Sequence, residues 1–286
     1  MFPVPGEDGV ARDGLAVNKD DLSHEVDGTD GSADRGADTI MVCEDVSWSF
    51  GGVRAVDHVS MALRRGLVTG LIGPNGAGKS TLINLLSGYL RGQSGRIAFD
   101  GADITRAAAH TVARRGLIRT FQLSSEFPYM TVLENMMVAP AQAGESFWTA
   151  VLRPGAWRRQ ERELLAEARG LLQEFGLLEL ADEYAGNLSG GQKRLLELAR
   201  ALMAKPVMLL LDEPMAGVSR VMIDLLVDRI KELNRTGLSF LVVEHDLEIV
   251  DRLCDTVYVM GQGHVLAKGS MAELREDESV VEAYLS

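Results

Sequence analysis

Nine residues, Gly73-Pro74-Asn75-Gly76-Ala77-Gly78-Lys79-Ser80-Thr81, contain the eight-position phosphate-binding pattern G-x-x-x-x-G-K-S/T, from Gly73 to Ser80, without a mismatch. Glycines let backbone N–H groups curl around phosphate oxygens with no Cβ in the way. The start of the following helix adds its partial positive charge. In this pattern Lys79 reaches the β- and γ-phosphates of a nucleoside triphosphate, and the Ser80 hydroxyl ligates Mg²⁺. The flanks fit that chemistry. Leu67-Val68-Thr69-Gly70-Leu71-Ile72 is a short apolar run with strand character, and Thr81-Leu82-Ile83-Asn84-Leu85-Leu86 has helical apolar spacing. A glycine-rich turn that binds nothing would not need a strand before it and a helix after it.

A second pair of residues supplies the other half of a hydrolytic site. Val207-Met208-Leu209-Leu210-Leu211-Asp212-Glu213 is an apolar run that ends in two carboxylates. A buried parallel strand reads this way, with its acids at the carboxyl end. Asp212 is placed to hold Mg²⁺, directly or through water, and Glu213 to polarise an attacking water. The plain alternative is a strand that ends in a solvated acidic turn closed by Pro214; the phosphate loop upstream favours the catalytic reading.

A third element is Asn187-Leu188-Ser189-Gly190-Gly191-Gln192-Lys193-Arg194. It opens a helix with apolar residues at Leu195, Leu198, Ala199 and Leu202. A serine and two glycines at a helix start form a further anion site. The string LSGGQ resembles the signature motif of ABC ATPases. The order of motifs is also that family's order: phosphate loop, Gln122, signature, Asp212-Glu213, then His245. The resemblance covers roughly Ile40 to Ser286.

The resemblance implies roles residue by residue. Ser189, Gly190 and Gly191 would face the γ-phosphate bound to a second subunit's loop. Phe50 corresponds to the aromatic residue that stacks on adenine, with Trp48 as the alternative stacker and a strand-end core position as the bland one. Gln122, in Arg119-Thr120-Phe121-Gln122, corresponds to the glutamine that bridges Mg²⁺, the attacking water and the transporter contact. His245, after Leu241-Val242-Val243-Glu244, corresponds to the switch histidine that contacts the γ-phosphate. The chain departs from the pattern at Ser219, where the family commonly has an acid in the loop that crosses to the opposite subunit.

The resemblance narrows further. Phe50-Gly51-Gly52-Val53-Arg54-Ala55-Val56, Arg119-Thr120-Phe121-Gln122, Thr131-Val132-Leu133-Glu134-Asn135-Met136-Met137-Val138 and Val280-Val281-Glu282-Ala283-Tyr284-Leu285 resemble the ATPases of branched-chain amino acid importers. Urea and short-amide importers and the lipopolysaccharide-export ATPase share that look. The implied cofactors are ATP and Mg²⁺. The implied partners are a second ABC ATPase subunit, identical or homologous, transmembrane permease subunits and, indirectly, a solute-binding protein. The implied place is the cytoplasmic face of the plasma (inner) membrane, as a peripheral subunit. A soluble ABC ATPase acting on ribosomes or DNA usually carries two cassettes or a long coiled-coil insertion; this chain has one phosphate loop, one signature and no long heptad run.

The elements that must position these residues follow from pattern. The expected fold is α/β: a phosphate-loop nucleotide-binding domain of ABC type with an antiparallel β edge and an inserted helical subdomain. The domain spans 40–286. Strands are expected near Met41-Val42, Val56-Leu63 and Arg96-Phe99. The helical subdomain is expected at about 123–188, where Leu164, Leu165, Ala168, Leu171, Leu172 and Phe175 recur at helical spacing. The aromatics between Phe147 and Trp157 could face a membrane partner or pack that subdomain's own core.

Bulk properties agree. A chain of 286 residues, 46% apolar, can bury a full core. It has no run of eighteen apolar residues and no apolar block near its start. Cys43 and Cys254 have no motif spacing and read as reduced, packed thiols. The net charge is −12. Residues 1–39 hold ten acids against three bases, and they are rich in Gly and poor in aromatics. Such a segment cannot bury enough surface to fold, so 1–39 reads as a disordered acidic tail, either a docking arm or a solvated extension. An acidic chain offers no electrostatic footprint for nucleic acid.

Overall fold

The computed structural model of the chain describes residues 38–120, 127–138 and 154–278, together with 280 and 282. Most of the acidic tail therefore lies outside the described residues. So do Gln122, the stretch 147–153 and most of the closing segment.

The chain opens with β1 (Thr39–Phe50) and β2 (Val53–Arg64). These pair as an antiparallel hairpin turned at Gly51-Gly52, with Phe50 opposite Val53. Next come β3 (Val68–Ile72), α1 (Lys79–Leu86), β4 (Ser94–Phe99) and the short β5 (Ala102–Asp103). β4 lies against β1, giving a four-stranded antiparallel sheet in the order β2-β1-β4-β5. The strands expected near Met41, Val56 and Arg96 are thus one sheet, and it forms the antiparallel part of the fold.

The remaining strands build a second sheet. After α2 (Ala109–Arg114) come β6 (Leu117–Arg119), α3 (Val132–Val138), α4 (Pro154–Glu174) and α5 (Gly190–Leu202). Then follow β7 (Met208–Asp212), α6 (Arg220–Arg235), β8 (Ser239–Val243), α7 (Leu247–Leu253), β9 (Thr256–Gly261), β10 (His264–Gly269) and α8 (Met271–Leu274). The sheet order is β10-β9-β3-β8-β7-β6, parallel except for the edge strand β10. Every residue of β3, β7 and β8 is buried, as a strand covered on both faces requires. Their side chains alternate between two layers. Leu71, Leu210, Leu241 and Val243 join Val46, Val59, Ile97 and Phe99 of the antiparallel sheet and Leu82, Ile83, Leu85 and Leu86 of α1. Val68, Leu209, Leu211, Phe240 and Val242 pack instead with Leu195 and Leu198 of α5 and Leu226 and Ile230 of α6.

The described part of the helical block is tied together by backbone and by one buried amide. Thr131 and Glu134 form a reciprocal cap at the start of α3: the Thr131 N–H donates to Glu134 Oε2 at 2.7 Å, and the Glu134 N–H donates to Thr131 Oγ1 at 3.1 Å. Val132 and Leu133 N–H groups reach the carbonyls of Glu183 and Ala181, and Ala185 N–H reaches that of Met130. Asn135, fully buried, accepts from Phe127 N–H at 2.8 Å. It also donates to the carbonyls of Phe127 and Thr131, each at 3.0 Å, and to that of Met130 at 3.3 Å. Its amide therefore fixes the turn by which the chain enters α3.

A buried group stripped of its partner costs about 1–3 kcal/mol. Asn135→Ala is accordingly expected to lower the melting temperature by several degrees. An unchanged melting curve would show that the turn is held by the backbone bonds alone.

Candidate functional site

Four loops leave the carboxyl ends of neighbouring parallel strands, the usual place for a ligand in an open α/β sheet. They follow β3, β8, β7 and β6, which lie side by side in that order. Register fixes their relative heights: Leu71 pairs with Val243, Asp212 with Val243, and Arg119 with Leu210.

The loop after β3 carries Gly73 to Lys79, and two of its glycines are required by close approach. Gly73 has φ 149° and Gly78 φ 100°. A Cβ on Gly73 would lie 2.1 Å from the carbonyl oxygen of Met260, and one on Gly78 would lie 2.1 Å from that of Ala55. The loop is also tied by Gly263 N–H to the Ala77 carbonyl at 3.0 Å. It is thus gripped between β2 and the turn joining β9 to β10. Pro74, Asn75 and Gly76 form its outer rim, with Asn75 and Gly76 exposed, and Ala77 is buried beneath. Ser80 is exposed at the start of α1 and Thr81 is half-buried.

Lys79 is the first residue of α1. Its ammonium donates to the carbonyls of Gly73 at 2.7 Å and Pro74 at 2.9 Å, so the side chain curls back across the loop it belongs to. Burial holds its pKa below the ordinary lysine value, and the carboxylates of Glu213 and Asp212 oppose that shift. One cation and two carboxylates, far apart in sequence, therefore share one electrostatic site.

The loop after β7 begins with Glu213, whose φ of 49° lies in the left-handed region that non-glycine residues seldom enter. Its N–H donates to the Val243 carbonyl at 3.0 Å. That bond continues the β7–β8 pairing one residue past the strand and turns the chain. Asp212 is only 4% exposed, and Arg119 Nη2 donates to its Oδ2 at 2.9 Å. The loop after β8 presents His245 with its side chain 68% exposed, beside a fully buried Glu244. Glu244 accepts from the Met215 N–H at 3.0 Å, and burial raises its pKa above the ordinary carboxylate value. Asp246 caps α7 through the N–H groups of Glu248 and Ile249.

The other sequence-derived positions are placed as follows. Phe50 ends β1, 54% exposed, with its ring edge-on to Trp48 at 5.9 Å between centroids. The hairpin that carries it includes Ala55, the residue touching Gly78. Gln122 lies outside the described residues; Thr120 donates to the Leu210 carbonyl at 3.0 Å just before that stretch. Ser189 caps α5, which begins at Gly190, earlier than the apolar run alone suggests. The Ser189 hydroxyl accepts from Gln192 N–H, and the Gln192 side chain accepts from Ser189 N–H at 2.9 Å. Ser189 and Gly190 are exposed, whereas Gly191 is buried. A Cβ on Gly191 would lie 2.6 Å from the Met222 side chain, so this glycine serves helix packing.

Sequence reasoning did not find Arg119, Glu244 or the left-handed turn at Glu213. The last two have no sequence signal, since a glutamate is not a residue that marks such a turn. Arg119 could have been suspected as a cation next to a buried apolar strand. The cap at Ser189 was legible as S-x-x-Q.

Comparison with known proteins agrees with this geometry. A family model described as ABC transporter matches residues 56–216. The high-affinity branched-chain amino acid transport ATP-binding protein LivG of Salmonella typhimurium is 40% identical over 238 residues, 82% of this chain and 93% of that protein. BraF of Pseudomonas aeruginosa, which bears the same description, is 38% identical over 248 residues, 86% of this chain and 97% of that protein. Solved ATP-binding cassettes of ABC transporters, one nucleotide-free and one in an ADP conformation, superpose with TM-score 0.77 at 38% identity, covering 87% of this chain and 99% of theirs. The chain therefore belongs to the ABC transporter family, as a nucleotide-binding ATPase subunit.

Proposed function

We propose that this subunit hydrolyses ATP in a two-site dimer to drive import of branched-chain amino acids or related small polar solutes. The observation that carries the hydrolytic reading is the convergence of Lys79, Asp212 and Glu213 at the carboxyl ends of β3 and β7. Lys79, already desolvated, suits the β- and γ-phosphates better than the two carbonyls it now contacts. Glu213, half-buried at a left-handed turn, suits the role of base toward an attacking water, with His245 orienting it. Phe50, exposed on the hairpin whose Ala55 meets the loop at Gly78, suits stacking on adenine.

The donor set fits Mg²⁺. It offers hard oxygen ligands, the Ser80 hydroxyl and the Asp212 carboxylate, to which the resemblance adds Gln122 from outside the described residues, and Mg²⁺ commonly takes one or two carboxylates and completes its shell with phosphate oxygens and water. Among the described residues no group of three or more His, Cys, Asp or Glu side chains is built to hold a metal alone. Mg²⁺ bound there would neutralise charge developing on the phosphates.

The domain reading is a cassette at 40–286 with a helical subdomain at about 123–188 that meets permease subunits, preceded by an acidic tail at 1–39. Among the described residues no helix is long and apolar enough to cross a membrane. Membrane attachment would then come through those permeases, at the cytoplasmic face, and a solute-binding protein would act on the far side. The import reading is supported by relatives of nearly equal length that are named for branched-chain amino acid transport.

Glu213→Gln keeps the shape and removes the base. It is expected to bind ATP, accumulate a dimer and lose turnover by ~10²–10⁴. Normal turnover in that variant would refute the role of Glu213.

Composite sites are tested by mixing. One nucleotide needs one phosphate loop, yet this chain exposes a second anion-ready helix start at Ser189 and Gly190. Ser189→Glu is expected to bind ATP without hydrolysing it. Lys79→Ala is expected to lose nucleotide affinity in calorimetry. A mixture of the two should recover activity, because one interface pairs an intact loop with an intact signature. A mixture as inactive as both parents would overturn the homodimeric site.

The solute is read by reconstitution. With the membrane subunits that co-purify from detergent, vesicles should accumulate leucine, isoleucine or valine on ATP addition. Uptake of urea or short amides instead would reassign the importer.

A further inference from the structure

The pair Arg119–Asp212 is the one buried ion pair at the site, among the described residues, that joins a phosphate-loop helix to a carboxylate. Asp212 is 4% exposed and Arg119 11%. Arg119 Nη1 donates to Asn84 Oδ1 of α1 and lies 3.5 Å from Ser87 Oγ. Its guanidinium sits over the Tyr89 ring, 5.7 Å from the centroid. Asn84 lies in the helix that Lys79 begins and Ser87 caps its C-terminus, so a single planar fork spans α1, β6 and β7. Arginine is suited to this geometry because its charge is permanent and its donors lie in a fixed plane.

An ionised carboxylate this buried is costly without a partner. Arg119 is that partner for Asp212, and it donates to one of the two carboxylate oxygens. The same cation that stabilises the carboxylate must repel a second cation brought to it. Resting on the reading of Asp212 as a Mg²⁺ residue, we propose that Arg119 is the standing counter-ion of Asp212 and a positioning residue that sets how strongly nucleotide binding depends on Mg²⁺. With Arg119 in place, the site is held ready without metal, and it tolerates a metal-free nucleotide's phosphates better than a bare aspartate would. Without it, the site becomes more negative, metal-free nucleotide is repelled and Mg²⁺ is drawn in more strongly.

The measurement is the affinity of the purified chain for a non-hydrolysable ATP analogue, with excess EDTA and with saturating Mg²⁺. The readout is the ratio of the two affinities. An adjacent opposite charge moves a carboxylate's affinity for a cation by ~1–3 orders of magnitude, so Arg119→Gln is expected to raise the ratio by about tenfold or more. Arg119→Lys, which keeps the charge and loses the fork, is expected to leave the ratio near wild type while lowering the melting temperature. Arg119→Met, neutral and unable to donate, must raise the ratio as well, so misfolding of one neutral variant leaves the other to decide. A merely architectural arginine would weaken both affinities together in all three variants. An unchanged ratio in a folded neutral variant overturns the proposal. A wild-type ratio of one would instead overturn the metal role of Asp212, and with it the premise.

Discussion

Two backbone carbonyls, those of Ala55 and Met260, decide the shape of the phosphate loop. Each stands where a Cβ would have to be if Gly78 or Gly73 were any other residue. The loop can pass between them only as bare backbone, and so it has one path. That path delivers Lys79 to the start of α1 and turns the loop's outer rim toward solvent. The constraint runs outward as well as inward. Ala55 belongs to the hairpin that carries Phe50, and Met260 to the strand before the turn whose Gly263 bonds Ala77. The antiparallel sheet and the far edge of the parallel sheet are therefore set against the loop by the same contacts that shape it.

The carboxylates are placed by a different device. β7 and β8 are buried throughout and paired in register up to Asp212 and Val243. Their packing leaves the next residues no choice but to turn. Glu213 turns in the left-handed region, at a cost of about 1–2 kcal/mol for a non-glycine residue. Its bond to the Val243 carbonyl and the bond from Met215 to Glu244 offset that cost. Glu244, although charged by type, is thereby part of the scaffold: it receives the Met215 N–H at the start of the loop and stands next to His245. The segment bearing the proposed base and the one bearing the proposed switch histidine are thus joined through a buried carboxylate.

Much of this was legible in the sequence, and the reasons are specific. The phosphate loop reads plainly because its glycines answer to steric demands that no other residue meets. β3, β7 and β8 read as buried parallel strands because strands covered on both faces are apolar throughout. The start of α5 reads from its Ser189–Gln192 cap. The pairing of β1 with β4 across fifty residues does not read, since strand sequences carry face but not partner. Nor does the hold of Arg119 on Asp212, because an arginine near an apolar strand has many solvated alternatives. Gly191 was read as an anion contact from its motif, and the motif does not reveal that Met222 also packs over it in the fold. A glycine in a motif can serve the neighbouring helix as much as the ligand.

That last point ties the two ends of the proposed mechanism together. Gly191 lets α6 lie against the start of α5, and Gly190 faces the Gly217 carbonyl, which a Cβ would approach to 3.6 Å. Gly217 sits in the loop that begins at Glu213 and ends at Ser219, the N-cap of α6. The start of α5 therefore packs against the loop from Glu213 to Ser219 and the first turn of α6. The Ser189 hydroxyl accepts the Gln192 N–H and still keeps its own proton to donate. A phosphate presented by a second subunit would meet that donor on a helix whose first turn rests on the loop of Glu213. Movement at one would reach the other through the seat of Met222 on Gly191 and the ordinary van der Waals contact between Gly190 and the Gly217 carbonyl.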